Sequence, residues 1–115
     1  MINEDLVAYL RGLGHTVEIL EPPVAPNRFI VIRAYEVRNG SRAGQRHDIA
    51  IQWSTSVPYV APSAIHVRPF AVAMGIASSQ GSPLGADWQY LSRLLRVPAT
   101  PAAMLVHICT VFAEI

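Results

Sequence analysis

Arg28-Phe29-Ile30-Val31-Ile32-Arg33-Ala34-Tyr35-Glu36-Val37-Arg38 and His47-Asp48-Ile49-Ala50-Ile51-Gln52-Trp53 flank a segment rich in Asn, Gly and Ser, and this pair of runs decides the fold. β-Formers dominate the first run. Phe29, Val31, Tyr35 and Val37 alternate with Ile30, Ile32 and Ala34, and a strand apolar on both sides belongs in the middle of a sheet. Asn39, Gly40, Ser41, Arg42, Ala43 and Gly44 form a turn by composition. In the second run His47, Ile49, Ile51 and Trp53 alternate with Asp48, Ala50 and Gln52. The pair therefore predicts an antiparallel hairpin.

Working outward, Thr16 to Leu20 is a short β-branched run stopped by Glu21, Pro22 and Pro23, and Ala64 to Val67 is another, reached through an extended segment bracketed by Pro58 and Pro62. About four strands in an antiparallel meander are expected. Before them, Leu6, Val7, Leu10 and Leu13 recur on one helical face, with Asn3 as the expected N-cap and Gly14 as the left-handed C-terminal residue. After them, Pro69 to Asp87 is small and polar and reads as a long loop, followed by a short helix over Ala86 to Leu95 around Trp88. Thr100 and Pro101 then open a helix through Ile115 with the stripe Met104, Leu105, Ile108, Val111 and Phe112. These readings predict one α+β domain over residues 1–115. Its core should hold Phe29, Val31, Ile49, Ile51, Leu105, Ile108 and Phe112 together.

Composition narrows the function classes. With 115 residues, 51% apolar and only 15% charged, the chain supports one core and is no disordered tail. Nine basic residues, all Arg, face eight acids for a net charge of +1 and form no block, so the footprint of a nucleic-acid binder is missing. The absence of lysine reads as the mark of a GC-rich genome, the alternative being a protein that handles lysine-modifying chemistry and offers no side-chain amine of its own. No apolar run is long enough to span a membrane, and MINEDLVAYL carries acids where a signal peptide carries positive charge, so a cytoplasmic protein is expected. Cys109, the one cysteine, excludes an internal disulfide and a cysteine-based zinc site. His15, His47, His66 and His107 show no metal-ligand spacing. Neither metal nor cofactor is expected.

Two local patterns carry a resemblance. Val57-Pro58-Tyr59-Val60-Ala61-Pro62 matches a Tyr-Pro-x-x-x-Pro segment except that Val57 replaces tyrosine. Leu84-Gly85-Ala86-Asp87-Trp88-Gln89-Tyr90-Leu91-Ser92-Arg93 matches Leu-Gly-x-x-Trp-Gln-x-x-Ser-Arg. With the order of elements, these resemble the ubiquitin-conjugating enzyme superfamily, specifically its divergent bacterial members, over nearly the whole chain. The resemblance implies a UBC-like fold, with the two-proline segment joining the third strand to the fourth. It also implies a thiolate nucleophile on the loop before Trp88, between Gln80 and Ser82. No cysteine stands there. The His-Pro-Asn segment whose asparagine stabilises the oxyanion would fall near Val72, Ala73 and Met74, and it too is missing.

Two losses at one site imply a non-catalytic variant. The expected function is therefore a binding or scaffolding component of a bacterial ubiquitin-like modification pathway. Its partners would be a ubiquitin-like protein, an activating enzyme or a partner conjugating enzyme. The alternatives are an active divergent enzyme and a small α+β adaptor outside that pathway. For catalysis the candidates are Ser82, Ser79 and Ser78, which would form an oxyester, a poorer arrangement than a thioester for transfer to an amine. Cys109 reads as a small buried hydrophobe of the last helix. The expected partner surface is the long loop, adaptable through its Gly and Ser content, with Tyr59, Pro58, Pro62, Ser82, Trp88 and Arg93 around it. In that picture Tyr59 is exposed.

Overall fold

A computed structural model describes residues 2–57 and 59–115. Helix α1 (Ile2–Gly12) leads into strands β1 (Thr16–Leu20), β2 (Phe29–Glu36), β3 (Arg46–Gln52), β4 (Ala64–Arg68), β5 (Ser79–Ser82) and β6 (Gly85–Ser92), and helix α2 (Pro101–Glu114) follows. The α+β class and the antiparallel meander of β1 to β4 are as the sequence predicts. Among the described residues the sheet has six strands rather than about four, in the order β1-β2-β3-β4-β6-β5, every pair antiparallel.

Of the three helix termini expected from the sequence, two form as their residues dictate. Gly14 at φ 93° closes α1, with His15 N–H bonded to the Leu10 carbonyl and Gly14 N–H to the Arg11 carbonyl, the six-to-one and five-to-two bonds of a Schellman end. The Thr100 hydroxyl accepts from Ala103 N–H and Pro101 takes the first turn of α2, where its missing N–H costs nothing. Asn3 is not a cap. It lies inside α1, buried, and its amide clamps the backbone of Ser54, donating to the carbonyl at 2.8 Å and accepting from the N–H at 3.3 Å.

Both helices lie on one face of the sheet. Leu6, Val7 and Leu10 of α1 and Met104, Ile108, Val111 and Phe112 of α2 pack on Val17, Ile30, Ile32, Tyr35, Ile49, Ile51, Ile65, Val67 and Leu91. On the other face Phe29, Val31, Ala50 and Trp88 form a second cluster, joined by Ala25 from the β1–β2 connection and flanked by Leu20 and Leu84. The single expected core is therefore two, separated by the sheet. Phe29 and Val31 lie on one side, and Ile49, Ile51, Ile108 and Phe112 on the other.

The strict alternation expected along β2 also breaks. Ala34, at φ 49°, sits at a register shift between Ile32 and Tyr35, so Tyr35 and Val37 join Ile30 and Ile32 on the helix side instead of following Phe29 and Val31. Its N–H is satisfied by Asp48 Oδ1 at 2.9 Å. The same carboxylate is the centre of a charge ladder across five strands: Glu18–Arg33 at 3.0 Å, Arg33–Asp48 at 3.2 Å, Asp48–Arg68 at 2.7 Å and Arg68–Asp87 at 3.7 Å.

The short helix expected over Ala86 to Leu95 is strand β6, and the expected loop contains β5. Trp88 and Gln89 are adjacent and both buried, Trp88 among the second cluster and Gln89 toward the helix side, as neighbouring residues of a central strand are and those of a surface helix are not. Leu105 is only half-buried beside the core, whereas Ile108 is fully enclosed. Truncation should follow that difference. Ile108→Ala is expected to cost about 2–5 kcal/mol in denaturant unfolding and Leu105→Ala clearly less, and equal losses would contradict the placement of α2.

Candidate functional site

The stretch Pro83 to Arg93 holds down the chain that precedes it. Pro83 and Leu84 make the turn of the β5–β6 hairpin, with Ser82 paired to Gly85 and the Ser82 hydroxyl accepting from Leu84 N–H at 3.1 Å. Gln89, fully buried, accepts from the N–H groups of Ala71 at 3.0 Å and Val72 at 3.3 Å and donates to the Val72 carbonyl at 2.8 Å. Ser92 N–H reaches the Ser78 carbonyl, and Arg93 donates to the Ala77 carbonyl at 2.8 Å. From the other side His47 Nδ1 bonds the Pro69 carbonyl at 2.8 Å, and Arg42 Nε donates to that of Ala71. The β4–β5 connection is thus laced at both ends. The adaptable recognition loop expected from its Gly and Ser content is instead a pinned one.

The three serine candidates take three different roles. Ser79 is buried and structural, accepting from Gly75 N–H at 3.0 Å and donating to the Ala73 carbonyl at 3.2 Å. Ser78 is exposed with φ 59° and contributes its carbonyl to β6. Ser82 Oγ lies 2.8 Å from Nδ1 of His66, a pairing across 16 residues that no spacing rule announces. His66 is 4% exposed, between the edges of Phe29 and Tyr90 at 5.3 Å each, and burial pushes its imidazole down to about 4 from the ordinary 6.5. It also lines a shallow cavity of about 210 Å³ with Gln52, Pro62, Ser63 and Tyr90. The pair has nucleophile–base separation. Its base, however, is a weak one, because burial opposes the imidazolium it would become.

The expected partner residues do not share a surface. Tyr59 is half-buried, its hydroxyl donating to Met104 Sδ at 3.4 Å, and it packs on the helix-side core instead of standing exposed. Trp88 is 4% exposed on the opposite face, with the Arg68 guanidinium 4.7 Å over its ring. Pro62 is half-buried at the rim of the His66 cavity, and Pro58 lies outside the described residues. Cys109 is half-buried on α2, with its Sγ 3.0 Å from the Tyr35 hydroxyl. Burial and that bond push the Tyr35 phenol well above its usual range.

Arg93 alone among them borders a large concavity. Residues 93–97 run beside α2 and leave a groove of about 610 Å³ lined by Leu94, Leu95, Val97, Ala103, Val106 and Val111, with Arg93, Arg96, His107, Thr110 and Glu114 also at its wall. Leu94 and Val106 are each 63% exposed and Val97 56%, which makes this an open apolar surface. The sequence does not announce this groove, because Leu94 and Leu95 fall at the end of the helix expected over Ala86 to Leu95, which does not form. The available signal was Val106, an apolar residue off the buried stripe of α2.

Among the described residues no group of three His, Cys, Asp or Glu side chains could hold a metal ion, and no helix is long and apolar enough to cross a membrane. No family model, curated protein or solved structure matches the chain.

The titrating groups set an acid profile. His66 binds its proton near pH 4 in the folded chain and near 6.5 when unfolded, so between those values the unfolded state takes up more protons and stability falls as pH falls. The loss should be on the order of 3 kcal/mol across that window, and His66→Gln should flatten it in denaturant titrations at several pH values. Asp48 titrates separately. Burial raises its carboxyl, but the Ala34 N–H and the Arg68 and Arg33 guanidiniums outweigh that and hold it below the ordinary range. Its share of stability is present above about pH 4 and lost below it, so a profile in which Asp48→Asn removes the upper window would overturn the assignment.

Proposed function

We propose that the chain is a ubiquitin-conjugating-enzyme-like module that does not carry a thioester and serves as a binding or scaffolding component of a bacterial ubiquitin-like modification pathway. The observation that carries this reading is the state of the segment where such chemistry needs a free thiol. Gln80 to Ser82 lie on β5, hydrogen-bonded to β6, with no cysteine among them. The chain's one thiol is on α2, engaged with Tyr35. A nucleophile must meet an acyl carbonyl in the open, and neither place offers a thiol that does.

Further support comes from the order of elements: one helix, four strands paired in sequence, a proline-containing segment between β3 and β4, and the hairpin bearing Leu84 to Arg93. Its partners would be a ubiquitin-like protein, its activating enzyme or a catalytic conjugating enzyme. The fold resemblance is an analogy, and the function rests on the site.

One observation favours a second reading, an enzyme that forms an oxyester on Ser82. The Ser82 hydroxyl is 2.8 Å from an imidazole that could take its proton. Against it stands the burial of His66, which makes the imidazolium costly.

Incubation with an activating enzyme, ATP and its ubiquitin-like protein separates the readings. The expected result is no covalent adduct. A reductant-sensitive band lost in Cys109→Ala would overturn the proposal in favour of a thioester enzyme. A hydroxide-labile band lost in both Ser82→Ala and His66→Gln would establish the oxyester reading.

A further inference from the structure

The groove between residues 93–97 and α2 has no role in the argument from the missing thiol, and its chemistry is specific. Its lining is aliphatic at Leu94, Leu95, Val97, Val106 and Val111, with polar and charged side chains beside them. Three of these, Leu94, Val97 and Val106, are more than half exposed, an apolar area left in water with nothing among the described residues covering it. The charges at its edge are unequal. Arg93 is matched by Glu114 at 3.9 Å and by the carbonyls of Ala77 and Ser92, whereas Arg96 makes no ion pair or side-chain hydrogen bond among the described residues. One guanidinium is left over beside an apolar channel.

We propose that this groove docks a short amphipathic helical segment of a partner protein, with its aliphatic face on Leu94, Val97 and Val106 and a carboxylate placed against Arg96. The inference rests on the binding-module reading and names its surface. Charge complementarity selects an acidic segment, because Arg96 is the one unmatched charge at the groove among the described residues and a basic segment would meet it, Arg93 being already paired with Glu114. Shape selects a helix over a small apolar acid. Small-molecule sites enclose most of their ligand, while this groove is open along α2 from Ala103 to Glu114, about 17 Å at the helical rise of about 1.5 Å per residue. That length suits three turns laid alongside, read by apolar anchors three and four residues apart.

The test is selection of a displayed library of twelve-residue peptides against the full chain, followed by fluorescence anisotropy of the enriched sequences. The expected consensus has aliphatic residues at helical spacing with Asp or Glu beside them. Val106→Asp should weaken these peptides at least tenfold with an unchanged melting temperature, since Val106 is exposed. Arg96→Glu should weaken them by a similar factor and shift preference toward versions carrying Lys in place of the acid. A basic consensus, no enrichment, or tight binding of a fatty acid that competes for Val106 would overturn the proposal. Peptides that bind Val106→Asp as well as the parent would place recognition on another surface, overturning the groove while leaving the binding-module reading intact. An adduct on Ser82 or Cys109 would do the reverse.

Discussion

The side-chain amide of Gln89 is the interaction on which the second half of the molecule depends. It is buried completely, and its oxygen and nitrogen meet the backbone of Ala71 and Val72, polar groups that otherwise would enter the core unpaired. Because the amide stands on a strand, its direction is set by β6, and β6 is set by pairing with β4 on one side and β5 on the other. The connection from β4 is thereby led back along the sheet. This gives a physical meaning to the Leu84 to Arg93 pattern: Leu84 and Trp88 close the second cluster, Gln89 holds the start of the connection, and Ser92 and Arg93 hold its end.

The opposite face is organised by Asp48. One oxygen fills the backbone vacancy made by the bulge at Ala34 and the other lies between two guanidiniums, so a local irregularity in β2 and a ladder of alternating charge share one anchor. The bulge is what turns Tyr35 inward toward α2, Phe112 and Cys109. The inner members Arg33, Asp48 and Arg68 are partly shielded and are worth more than scattered surface pairs, whereas the terminal carboxylates of Glu18 and Asp87 are more than half exposed and add little.

These two anchors also govern the chemistry left to the chain. The hydroxyl of Ser82 and the thiol of Cys109 are each committed to a neighbour, and the imidazole beside Ser82 is held neutral by aromatic surroundings. What the structure leaves open is apolar surface, along residues 93–97 and the outward side of α2. Recognition on such a surface needs no reacting group, only shape and a complementary charge.

The sequence by itself determined the hairpin of β2 and β3, the strands β1 and β4, the Gly14 end of α1 and the Thr100–Pro101 start of α2, because each is written in local periodicity and in residues with special backbone preferences. It did not determine β5 and β6. β5 is Ser79-Gln80-Gly81-Ser82, without an apolar residue, and β6 opens on Gly85-Ala86-Asp87; these strands exist because β4 offered an edge and Gln89 and Trp88 found partners on opposite faces. Nor did it determine which way Tyr35 points, since one bulged residue reverses the parity of all that follow. The site divides along the same line. That Gln80 to Ser82 contain no cysteine was legible residue by residue, whereas the His66–Ser82 contact and the groove at Val106 join parts of the chain distant in sequence, and only the packing of one element on another could decide them.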